Sequence, residues 1–163
     1  MRVTRAAAVL SLALAACGYR FVVPNAPAGV KTVSVPVFLN HTPEPQVDAL
    51  CTQALREHYQ RAGALSPDGE GVVQGVVTSV TSTALIAAPE RGAFPTYRLN
   101  GSVELTLRRG AEVVRQVAVS GSEDYPSGAD LLITESNRAT ALRRLCDVLM
   151  RDGAERLSGF PVQ

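Results

Sequence analysis

Thr96-Tyr-Arg-Leu-Asn-Gly-Ser-Val-Glu-Leu-Thr-Leu-Arg108 alternates without a break. Tyr97, Leu99, Gly101, Val103, Leu105 and Leu107 fall on one side; Arg98, Asn100, Ser102, Glu104, Thr106 and Arg108 fall on the other. A period of two held this long specifies a strand with one buried and one wet face, the pattern of an antiparallel sheet covered on one side only. Downstream, Arg109-Gly-Ala-Glu112 is short enough for a hairpin into a further strand, Val113–Ser122, which Tyr125-Pro-Ser-Gly128 breaks. Upstream lies the Val-rich strand Gly71–Thr83. The loop Ala87-Ala-Pro-Glu-Arg-Gly-Ala-Phe-Pro95, which carries Arg91, joins it to the quoted stretch.

Two helical patterns flank these three strands. From Pro45 to Ala62, the residues Val47, Leu50, Cys51, Ala54, Leu55, His58, Tyr59 and Ala62 recur at i, i+3, i+4 and i+7, and Gly63 stops the run. Pro45 suits the first helical position and Asp48 the first turn. A second helix from about Asp130 to Leu157 puts Leu131, Leu142, Leu145, Cys146, Leu149, Met150 and Leu157 on one side, with Arg138, Arg143, Arg144, Arg151 and Arg156 largely on the other. Gly153 weakens its last turn by about 1 kcal/mol relative to Ala. Before the first helix, Lys31–Asn40 sets Val33, Val35, Val37 and Leu39 against Thr32, Ser34, Pro36 and Phe38, a strand that Pro36 confines to a sheet edge or a bulge. The order is β-α-β-β-β-α. The fold class is α/β (α+β): a two-layer sandwich of a four-stranded mixed sheet with both helices packed on one face. The opposite, polar face of the sheet is left to water or to a partner with a polar wall.

The N-terminus says where this domain lives. Arg2 and Arg5 precede the apolar run Ala6–Ala16, which is too short to span a bilayer and has the form of a secretory signal. It ends in Leu14-Ala-Ala-Cys17, which looks like a bacterial lipobox. That resemblance implies removal of residues 1–16, a diacylglycerol thioether on Cys17 and an N-acyl chain. Such multiple chains anchor stably. Gly18, in place of an Asp, favours the outer membrane. Residues 17–30 form a lipidated tether that could reach about 40 Å if extended, and residues 31–160 form one domain. Of 16 Lys and Arg, Arg2 and Arg5 leave with the signal, so 14 basic side chains face 15 acidic ones, a balance that gives nucleic acid no footing. Cys51 and Cys146 are the other cysteines. In an oxidising compartment they are either a disulfide or two buried free thiols, and no His or Cys stands at the spacing of a Zn site.

Several segments in order resemble one family: Gly18-Tyr-Arg-Phe behind the lipidated Cys, Val35-Pro-Val-Phe-Leu-Asn-His-Thr-Pro-Glu-Pro45, Ala49–Leu65, Val73-Gln-Gly-Val-Val-Thr-Ser79 and Tyr97-Arg-Leu99. Together they look like the lipopolysaccharide-assembly lipoprotein LptE. The resemblance implies an α/β domain that plugs the outer-membrane β-barrel LptD and serves lipopolysaccharide transport, with no cofactor beyond the covalent lipid. A polar sheet face suits that role because barrel lumens are polar. It also implies lipopolysaccharide binding by basic residues of the loop region, which here singles out Arg91 and Arg98, whose guanidinium forks match phosphate oxygens. No catalytic motif is present. Cys51 and His58 share a helix face but lie about 10.5 Å apart along its axis, too far for a nucleophile and its base. The competing reading, from a different class, is a lipoprotein that regulates an envelope enzyme such as a cell-wall synthase.

Overall fold

In the computed structural model of the chain, the described residues are 27, 29–85 and 94–159. Five strands and two helices follow in the order β1 (Val33–Ser34), β2 (Leu39–Asn40), α1 (Val47–Arg61), β3 (Gly71–Leu85), β4 (Thr96–Arg109), β5 (Glu112–Pro126) and α2 (Leu131–Ser158). The sheet order is β1-β3-β4-β5, with β2 also on β3. β1 and β2 run parallel to β3, as a connection through a helix requires, and β3, β4 and β5 are antiparallel neighbours. Both helices lie on one face of this mixed sheet, so the two-layer α+β architecture read from the sequence holds.

The first strand is where the pattern misleads. It is broken in two, and the break inverts its faces. From Ser34 to Leu39 the chain advances five residues while its partners on β3 advance four, from Val72 to Val76. One extra residue exchanges inside for outside. Val33 and Val35 are therefore buried as expected, but Phe38 takes the next inward place, and Val37 and Leu39 are 60% and 61% exposed. α1 satisfies the backbone groups that leave the ladder: Phe38 N–H donates to Thr52 Oγ1 at 3.0 Å, and Arg56 Nε donates to Val35 O at 2.8 Å. Pro36 has no N–H to satisfy.

The other elements follow their periodicity. β4 buries Leu99, Val103, Leu105 and Leu107 and turns Arg98 and Glu104 outward. α1 buries Val47, Cys51, Ala54, Leu55 and Tyr59, starting two residues later than the Pro45 expected, after Gln46 in a left-handed conformation. Gly63, at φ 67°, takes the left-handed turn that follows the helix. Asp130 caps α2 by accepting from Ile133 N–H at 2.8 Å.

Two expectations for the C-terminal half need correction. β5 does not end at Ser122 but runs to Pro126, pairing Tyr97 with Tyr125 and Arg98 with Asp124. Leu131 does not belong to the core face of α2: it is 73% exposed, with Leu132 at 82%, and burial begins only at Ala141. The first ten residues of α2 thus overhang the core. Polar contacts pin this overhang, with Gly128 N–H donating to Thr134 Oγ1 at 2.9 Å and Arg138 gripping Glu44 through Nη1 and Nη2.

α2 reaches the sheet closely because small residues lie under it. Gly101 and Gly121 face each other across β4 and β5, and Leu145 and Leu149 rest on them. Gly153, in turn, sits directly over Leu105; a Cβ there would come within 2.4 Å of a methyl of that buried side chain. Gly153 therefore does more than weaken the last turn. Gly153→Ala is expected to lower the melting temperature even though Ala gains about 1 kcal/mol of helix propensity, because overpacking a filled core costs about 1–3 kcal/mol. A thermal melt of the variant reads the sign.

Candidate functional site

The expected sites fall into two groups. Cys17, Arg91 and nearly all of the tether lie outside the described residues. Arg98, Cys51 and Cys146 lie within them.

Cys51 on α1 and Cys146 on α2 form a disulfide, with Cα atoms 4.7 Å apart and 95 residues between them in sequence. Both are about 1% exposed. The bond clamps the two helices into one layer, and it leaves no thiol on Cys51 to act as a nucleophile. His58, two turns further along α1, has its pKa lowered by burial and then by the neighbouring Arg61, while Glu155 opposes the shift. Its Nε2 is buried without a partner among the described residues. Tyr59, wholly buried beside it, has its phenol pushed up by the same desolvation. A neutral imidazole and a neutral phenol suit a packed helix seam.

Arg98 stands on the outer sheet face, opposite Asp124 in the β4–β5 register. Its Nε and Nη2 each donate to a carboxylate oxygen of Asp124 at 2.8 Å, a bidentate pair. Asp124 holds the guanidinium pKa up, and Arg98 holds the carboxyl pKa below its usual value. The partner was hidden in the sequence by the early end assigned to β5. On the inner face beside this pair, Tyr97 and Tyr125 stack with ring centroids 5.5 Å apart, and the Tyr125 hydroxyl bonds Ser82 Oγ at 2.8 Å. Arg98 therefore marks the end of the sheet from which the Arg91 loop departs, alongside exposed Phe94 and the exposed start of α2.

The larger feature is the outer face as a whole. Thr81, Asn100, Ser102, Ser120 and Ser122 lie along it in neighbouring registers, Asn100 and Ser102 partly buried and the others exposed. Nothing among the described residues covers it. The helix side differs: the seam between α1 and α2 holds open clefts, one of about 190 Å³ lined by Leu50, Gln53, Ala54, Glu57, Arg143 and Asp147. Its charges are mixed and no metal-ligand cluster occurs among the described residues. No described helix is long and apolar enough to cross a membrane.

The geometry is that of a scaffold with a filled face and a bare polar one. The family model described as "LptE: Lipopolysaccharide-assembly" matches residues 30–157, nearly all of the domain. This chain belongs to the LptE family. Among curated proteins, none matches the sequence. Solved structures share the fold at low identity. A protein from Chlamydia trachomatis superposes with a TM-score of 0.55 at 13% identity, covering 83% of this chain and 98% of that one. A lipoprotein from Caulobacter crescentus gives 0.53 at 14%, covering 75% and 88%. A minor lipoprotein from Acinetobacter baumannii gives 0.51 at 12%, covering 81% and 93%. These likenesses show a shared fold, and the family match places the chain in lipopolysaccharide assembly.

Proposed function

We propose that this LptE-family chain is anchored in the outer membrane through lipids on Cys17 and seats in the lumen of an LptD-type β-barrel, serving the insertion of lipopolysaccharide. The observation that carries the reading is the bare outer sheet face. It is three long strands wide and dressed in hydroxyl and amide side chains that can exchange water for polar lumen walls at little cost. Its role is one of assembly and positioning, not catalysis. Depletion of the chain is expected to reduce lipopolysaccharide at the cell surface, measured by its accessibility on intact cells. Normal surface lipopolysaccharide with altered peptidoglycan cross-linking would instead favour a regulator of a cell-wall synthase.

Within this reading, Arg91 and Arg98 contact lipopolysaccharide phosphates. Arg98 must exchange Asp124 for the phosphate, one bidentate partner for another, so Arg91 carries more of the affinity. The Arg91→Glu/Arg98→Glu variant is expected to bind lipopolysaccharide roughly tenfold more weakly at low salt, about the worth of one charge-assisted hydrogen bond. Binding by the detergent-solubilised mature protein, with circular dichroism to confirm the fold, checks it; unchanged affinity would move the site elsewhere.

A further inference from the structure

The two edges of the sheet are built differently. One is blunted: β1 and β2 are two residues each, separated by the bulge at Pro36. The other, β5, is 15 residues long and pairs with β4 alone. A long free edge is a template for another strand. From Gln116 to Ser122 it carries no charge and no proline, which leaves its centre without the usual protection. A closed barrel has no strand edge to offer, so a second copy of the same edge is the natural partner.

The residues of β5 are complementary to themselves. Arg115 and Glu123 stand four places either side of Val119, and both point inward, opposite Leu107 and Leu99. An antiparallel pairing of two β5 strands about Val119 sets each Arg115 against Glu123 of the other copy. On the outer face the same pairing sets Gln116 against Ser122, two hydrogen-bonding side chains. Glu123 has no ion pair among the described residues. The new ladder would form along the free backbone edge of β5, beside α2, which lies above β4 and β5 and touches Gly101 and Gly121.

One side chain stands in the way. Arg156 reaches down from α2, is held at Nε by Asp152 at 2.8 Å, and donates from Nη1 to the carbonyl of Ala118 at 3.4 Å, one residue from the centre of the pairing. Its own carbonyl accepts from Arg115 Nη1 at 3.0 Å, which fixes this end of the helix on the edge. In a symmetric pair the two Arg156 guanidinium groups would meet at the two-fold axis, like charge against like.

We propose that the β5 edge is a self-pairing surface and that Arg156 keeps it closed. The unguarded edge forms a two-fold dimer with a continuous sheet across the junction. The proposal does not depend on the barrel partner, and the two can fail separately. Sedimentation equilibrium of the mature lipoprotein in density-matched detergent tests it at tens of micromolar. The wild type is expected to be monomeric and Arg156→Ala to show a doubled protein mass. Adding Glu123→Arg to Arg156→Ala should return the monomer, and adding Arg115→Glu as well should restore the dimer by exchanging the charges. If Arg156→Ala fails to fold by circular dichroism, Arg156→Gln, which keeps most of the stem without the charge, gives the same readout. A wild type that dimerises as tightly as the variant, or a folded variant that stays monomeric, overturns the proposal.

Discussion

Replacing Cys51 and Cys146 together by Ala is expected to cost the domain about 2–5 kcal/mol. The bond closes a span of 95 residues, and constraining so long a loop in the unfolded chain is worth up to about 4.7 kcal/mol in the chain-entropy account, with native disulfides usually giving about 2–4. The native state adds a second reason. α1 meets the sheet mainly along β2 and β3 and α2 along β4 and β5, so the bond ties together helices that rest on different halves of the sheet and otherwise meet through their packed faces and the β3–β4 ladder beneath. For a domain of this size the loss should appear as a fall of roughly 10 °C in melting temperature. Because both cysteines are about 1% exposed, reductant should have little effect on the folded wild type and a large one once urea opens it. Equal urea midpoints for the wild type and the Ala/Ala variant would show that the helix layer does not rely on the bond.

The second large effect concerns Cys17. Cys17→Ser is expected to abolish lipidation and leave the precursor uncleaved, since only the thiol accepts the diacylglycerol that the processing peptidase recognises. The anchor is then lost entirely rather than weakened, because removing every acyl chain removes about 0.8 kcal/mol for each buried methylene. Metabolic labelling with a fatty acid reads this directly, and label retained on the Ser variant would contradict the lipobox assignment.

These two predictions draw on different depths of the sequence. Cys17 is legible because its neighbours alone define it. Cys51 and Cys146 could be placed on apolar helix faces by their 3.6-residue period, but their pairing depends on how two helices far apart in sequence come together. β4, α1 and the C-terminal two thirds of α2 were legible for the same reason of local period.

What escaped depends on a partner. Phe38 turns inward and Leu39 outward because β3 spends one residue fewer than the chain from β1 to β2 in reaching the next pair, and no pattern within Lys31–Asn40 records that difference. Glu123-Asp-Tyr-Pro126 reads as lying beyond the strand since it lacks an aliphatic side chain. It is strand because Asp124 can pair with Arg98 and because Tyr125 can stack on Tyr97. Arg98 was visible as an exposed cation; its carboxylate partner was not, since Asp124 lay beyond the expected end of the strand. Gly153, read alone, is a weak point in a helix, whereas against Leu105 it is the residue that lets α2 settle on the sheet.

The central claim, that the bare sheet face of this LptE-family chain belongs inside a barrel, is tested most directly by affinity purification of the lipidated protein from detergent-solubilised outer membrane. The account expects one heat-modifiable β-barrel protein to be retained in equal amount, shifting in electrophoresis between heated and unheated samples. Recovery of a peptidoglycan synthase without any such barrel would contradict it.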